Sequence, residues 1–131
     1  MKTMLKNNLF DPSIVKFYDQ IADGVVICDA QQTGYPIVCA SDGFCRLNGY
    51  TREEVLHQSC VLLQGEATDT QTMQQILDSF EHKISFRGKI ISYRKDGSSF
   101  LSLLRVEPIR DDDGEVIQFL VCQTDSSDFF E

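Results

Sequence analysis

Positive charge is scarce in this chain. Against 20 acidic residues stand 12 lysines and arginines, a net charge of −8 over 131 residues. Phosphate backbones need a basic face, so nucleic acid is excluded as an expected partner, and so is an anionic lipid surface. Long apolar runs are missing too. Nothing approaches the length of a membrane span, and Met1 to Asn8 has no apolar core of a signal peptide. A cytoplasmic location is therefore expected. Metal ligands are sparse: two histidines, His57 and His82, and five cysteines, Cys28, Cys39, Cys45, Cys60 and Cys122, with no Cys-x-x-Cys pair. Neither a disulfide framework nor a zinc site is expected, and a cysteine is first read as a small buried hydrophobe. Repeats and low-complexity segments are also lacking.

What remains is a single-domain globular chain, 42% hydrophobic and 24% charged, long enough to bury a core. Asp11-Pro12 and the spacing of Ile14, Val15, Tyr18 and Ile21 predict an amphipathic helix over about 12–22, stopped at Gly24. Short β runs follow at 25–28 and 37–40. A helical turn carries Phe44 and Leu47 and ends near Asn48-Gly49. Thr51 to Glu54 forms a capping box. A longer helix, about 70–82, places Met73, Ile76, Leu77 and Phe80 on one face. Asp96-Gly97 and Asp113-Gly114 then divide three β runs, at about 85–94, 99–109 and 115–124. The expected fold class is α+β: an antiparallel sheet with helices on one face.

Alternation assigns the strand faces. One side collects Phe86, Gly88, Ile90 and Ser92; Phe100, Ser102, Leu104 and Val106; and Ile117, Phe119, Val121 and Gln123. Ser92, Ser102 and Gln123 are polar groups on an apolar face, and each requires a partner when buried. A serine can satisfy itself on nearby backbone. If the three meet, they line a pocket for a polar, planar ligand. The opposite side carries Ile91, Tyr93, Leu101, Leu103, Leu120 and Cys122. A face this apolar calls for a cover, from the N-terminal helix, a neighbouring domain or a second copy; a homodimer is expected. Asp111 to Asp113 read as a solvated hairpin tip, and Arg94 and Lys95 as surface. His57 stands near Cys60 without a third group, so no enzyme is expected.

Several motifs resemble a PAS domain, and within that family the light-oxygen-voltage (LOV) subclass, in the layout of bacterial short LOV proteins. They are Asp42-Gly43-Phe44; Asn48 to Leu56; Ser59-Cys60-Val61-Leu62-Leu63-Gln64-Gly65; Tyr93 to Gly97 with Phe100; Pro108-Ile109; and Phe119 with Gln123-x-Asp125. The resemblance divides the chain into an N-terminal cap (1–23), a five-stranded PAS/LOV-like domain (24–125) and a tail (126–131). It implies a blue-light receptor that holds a flavin, FMN or riboflavin, and signals through the outer sheet face to an effector protein. Cys60 would bond reversibly to flavin C4a, with N5 protonated, and Gln123 would reorient its amide. Ser59, Val61, Leu63, Gln64, Leu77, Ser92, Ser102, Leu104, Phe119 and Gln123 would surround the cofactor.

The chain departs from the family pattern. Where the family reads Asn-Cys-Arg-Phe-Leu-Gln, Ser59 replaces the asparagine and Val61 the phosphate-gripping arginine. Leu77 stands where a second phosphate arginine is common. Ser92 and Ser102 replace two asparagines, and Val121 a glycine. Losing two charge-assisted hydrogen bonds costs roughly 3–6 kcal/mol, or about two to four decades of affinity. Riboflavin, with no phosphate, loses least and is expected to bind at least as well as FMN. The alternative is a PAS sensor or dimerisation module that has lost flavin.

Overall fold

The computed structural model describes residues 20, 22–59 and 63–126. Among them, five strands form one antiparallel sheet: β1 (Gly24–Asp29), β2 (Ile37–Ala40), β3 (Phe86–Tyr93), β4 (Ser99–Arg110) and β5 (Val116–Asp125). The order across the sheet is β2-β1-β5-β4-β3. Helices α1 (Asp42–Asn48), α2 (Arg52–Val55) and α3 (Thr70–His82) lie in the connection between β2 and β3.

Local chemistry sets the boundaries. Ser41 Oγ accepts from Phe44 N–H at 3.1 Å and from Val25 N–H at 3.0 Å, so one hydroxyl caps α1 and ties it to β1. Gly49, at φ 83°, ends α1 in the left-handed region. The expected capping box is present: Glu54 N–H donates to Thr51 Oγ1, and Thr51 N–H to Glu54 Oε1. Asp69 caps α3, and Lys83 closes it in the left-handed region. The β3–β4 and β4–β5 hairpins turn at Gly97 and Gly114, as the two Asp-Gly pairs predict.

Four expectations change. The helix expected over 12–22 lies mostly outside the described residues, but it does not reach its expected end: Gln20 is in a turn and Ala22 in a bend. Gly24 opens β1 rather than stopping a helix. A Cβ there would sit 2.7 Å from Phe44 Cα, so glycine lets α1 lie directly on the strand. A register shift at Ile109/Arg110 interrupts the alternation in β5, and Val116 rather than Ile117 joins the core that contains Phe119 and Val121. Asp111 is buried, its Oδ1 accepting from Asp113 and Glu115 N–H, whereas Asp112 and Asp113 are exposed as expected.

Each sheet face has its own cluster. The inner one joins Val26, Ile90, Leu104, Val106, Phe119 and Val121 to Phe44, Ile76 and Phe80 of the helices. The outer one is Val25, Ile27, Leu120 and Cys122, with Ala22, Val38, Cys39 and Ile109 packed on it. Leu103, farther across, is 39% exposed. Tyr93, expected on the bare outer face, is half-buried and accepts a hydrogen bond from Ala67 N–H at 2.8 Å. The loop at 65–68 covers its ring, which lies within contact of Gly65.

Candidate functional site

Between the inner sheet face and the helices lies a cavity of about 380 Å³. Small-molecule sites usually span about 300–1,000 Å³. The sheet supplies Val26, Ile90, Ser92, Leu104, Val106, Val121 and Gln123. The helices supply Phe44, Met73, Ile76, Leu77 and Phe80. Gly34, Tyr35, Ser59, Leu63 and Gln64 are the other described residues that line it. Leu77, 38% exposed, marks its open side.

The strand register explains this composition. Leu104 pairs with Gln123, and Val106 with Val121, so cross-strand neighbours meet on the same face. Ile76 and Phe80, four residues apart on α3, close the cavity from the helical side. Tyr35 stacks on Phe80 with ring centroids 5.1 Å apart.

Of the residues expected around a ligand, Ser59, Leu63, Gln64, Leu77, Ser92, Leu104 and Gln123 line the cavity. Ser102 and Phe119 do not. Ser102 is wholly buried, but its short side chain is flanked on the inner face by the bulkier Ile90 and Leu104, which do reach the cavity. Phe119 stands one layer back, edge-on to Phe80 at 4.8 Å and to Tyr35 at 5.9 Å. Cys60 and Val61 lie outside the described residues.

The polar atoms are few and partly unpaired. Gln123 Nε2, Gln64 Oε1 and Ser102 Oγ are buried and have no hydrogen-bond partner among the described residues. Each such atom costs about 1–3 kcal/mol if nothing meets it. Gln123 Oε1 is engaged, accepting from Asn48 Nδ2 at 2.8 Å. In the sequence Asn48 ends a helical turn and opens a PAS-like motif; its spacing in α1 carries no sign of a partner 75 positions away. No lysine or arginine is among the residues that line the cavity.

Arg94 also departs from its surface reading. Its Nε donates to Leu47 O at 3.0 Å, its guanidinium reaches Asp125 at 3.3 Å, and it lies over the Phe100 ring at 4.4 Å. Lys95 N–H donates to Asn48 O at 2.9 Å, and its ammonium pairs with Glu54, holding that carboxyl below the usual range. The β3–β4 turn is thus fastened to the end of α1.

The thiols of Cys39, Cys45 and Cys122 are not activated nucleophiles. Burial pushes Cys39 and Cys45 up, against a smaller opposing effect of Arg52, and pushes Cys122 up to about 11. Cys39, Cys45 and Cys122 are free thiols. No cluster of metal-ligating side chains occurs among the described residues.

Residues 22–128 match the PAS domain family. The chain belongs to the PAS domain family. Relatives of two kinds match it. Phototropin-2 of Oryza sativa subsp. japonica is 43% identical over 106 residues, 81% of this chain. The human voltage-gated delayed rectifier potassium channel KCNH8 is 40% identical over 132 residues, 98% of this chain. The PAS domain spans only 12% of the length of either relative. Solved structures divide the same way. The PAS domain of the fruit-fly ELK potassium channel superposes with a TM-score of 0.83 at 32% identity, covering 88% of this chain and 96% of that one. The light-state LOV domain of the blue-light photoreceptor Aureochrome1 gives 0.79 at 32% identity, covering 88% and 91%. A LOV domain described with a flavin analogue gives 0.83 at 36%, covering 91% and 89%. The protein is therefore a PAS sensory domain homologous to phototropin LOV domains, and among its described residues no helix is long and apolar enough to cross a membrane.

Proposed function

We propose that this PAS domain is a blue-light sensor that holds a flavin in the inner cavity. The observation that carries the reading is the cavity itself: about 380 Å³, apolar walls, and unpaired amide atoms of Gln64 and Gln123 at its edge. One acceptor and one donor on an otherwise apolar wall suit a planar heteroaromatic ring, whose faces pack on side chains such as Leu104 and Ile76. Ser59 and Ser92 add hydroxyls on the same wall. Ser102 and Phe119 support that wall from behind.

A flavin bound there would supply blue-light absorption and an electrophilic C4a for the Cys60 thiol. Cys60 would offer the thiol, sulfur and proton together, that the excited ring would take up and later return, and Gln64 and Gln123 would orient the ring's polar edge. The protein's share is to bind, orient and exclude water. Gln123, on β5, links the cavity to a strand whose Leu120 and Cys122 belong to the outer face, and that outer sheet face would read the change out to an effector. The cap (1–23) and a second copy of the domain are the proposed covers of the outer face. This is the role of a sensory module, not an enzyme.

The cavity fits the ring of a flavin better than its phosphate. No cationic side chain lines it among the described residues, and the lining Leu77 is 38% exposed. Riboflavin should bind at least as tightly as FMN.

A second reading has its own support: the identity to the potassium-channel relative covers nearly the whole chain. In it the domain holds no flavin and works through protein contacts. The dark absorption spectrum with riboflavin or FMN supplied separates the two. A structured blue band that bleaches in light and recovers, and no longer bleaches in Cys60→Ala, supports the sensor. No band with either flavin rejects it.

A further inference from the structure

Two buried amides meet at the edge of the cavity, and their orientations are not independent. The Phe44 carbonyl can only accept, so the Asn48 atom 3.0 Å from it must be Nδ2. The same nitrogen faces Gln123 at 2.8 Å, so the Gln123 atom there must be the acceptor, Oε1. Gln123 Nε2 is then the end left without a partner, on a side chain that lines the cavity. Turning Gln123 alone would set two NH₂ groups against each other. Turning Asn48 with it would set Oδ1 against the Phe44 carbonyl oxygen.

We propose that Asn48 is a positioning residue that locks the Gln123 amide with its Nε2 donor towards the cavity, so that the site selects a ligand edge able to accept a hydrogen bond. Applied to the flavin reading, on which this part rests, the lock favours the oxidised ring, whose edge accepts. It opposes a ring that carries a proton there. Asn48 then shortens the life of the light state as well as tightening the dark one.

The test is a double-substitution cycle of Asn48→Leu and Gln123→Leu, read in two ways. Riboflavin affinity in the dark should fall about fivefold in Asn48→Leu, the worth of one neutral hydrogen bond. It should fall at least as far in Gln123→Leu, and the double variant should equal Gln123→Leu alone. Recovery after blue light should slow in Asn48→Leu. Equal losses from Asn48→Leu with and without Gln123, or lower stability with unchanged affinity and recovery, would overturn the proposal. Asn48→Ala serves if the leucine variant does not fold. Should the wild type bind no flavin, the flavin reading fails by itself, and denaturant unfolding of the same four ligand-free proteins judges the lock: non-additive stabilities uphold it, and additive ones refute it.

Discussion

The two faces of the sheet use the same two strands, β1 and β5, to opposite ends. On the outer face, Val25, Ile27, Leu120 and Cys122 are buried together with no amide among them. On the inner face, their neighbours Val26, Val121 and Gln123 border a cavity and carry an unpaired donor. Packing to full density stabilises one side, whereas the other keeps volume and polar atoms in reserve for a ligand. A strand therefore divides its labour residue by residue: Leu120 and Cys122 hold the fold, and Val121 and Gln123 shape the site.

The largest test of that contrast substitutes adjacent residues of β5. Leu120→Ala should destabilise by about 2–5 kcal/mol in denaturant unfolding, because a packed cluster cannot collapse into the gap. Riboflavin affinity per folded molecule should stay within about twofold. Val121→Phe should do the reverse, filling cavity space at little cost in stability and abolishing detectable flavin binding in a fluorescence titration. If both substitutions act alike, the two faces do not differ in kind.

A smaller effect tests the reserve of polar atoms. Ser102 Oγ is buried and unpaired, so Ser102→Ala should stabilise the ligand-free protein by about 1 kcal/mol in urea unfolding. Loss of stability would mean that the hydroxyl is satisfied in solution.

The outer face has a counterpart in pH. Burial raises the Cys122 thiol from its ordinary value to about 11. The folded state then holds its proton more tightly than the unfolded chain. Its contribution is complete below about pH 9 and declines as pH rises towards 11. Unfolding of wild type and Cys122→Val, compared at pH 8 and pH 10.5, should show a smaller alkaline loss in the variant.

The smallest effect belongs at the cavity opening. Leu77→Lys places a cation where none lines the cavity, and should improve FMN over riboflavin by about threefold at low salt, fading as salt rises. An unchanged ratio would put the ribityl end elsewhere.

Much of the fold was legible because its signals are local. The Asp-Gly turns, the Thr51–Glu54 box and the stripe on α3 each depend on residues a few positions apart. Strand alternation placed Ser92, Leu104 and Gln123 on the inner face. It gave no depth along that face, so Ser102 and Phe119 were counted with them, although one is too short to reach the cavity and the other stands behind Phe80. Nor could it anticipate the register shift that brings Val116 into the core in place of Ile117.

The sequence by itself determined the strands, the turns, the PAS motifs and which side chains share a face, because each follows from spacing within one element. Only the tertiary structure decided that Asn48 meets Gln123, that Arg94 joins Leu47 to Asp125, and that Asp111 is buried. Those contacts arise when distant segments pack, and a polar side chain declares its partner only once the surrounding apolar atoms have excluded water and left it one place to bond.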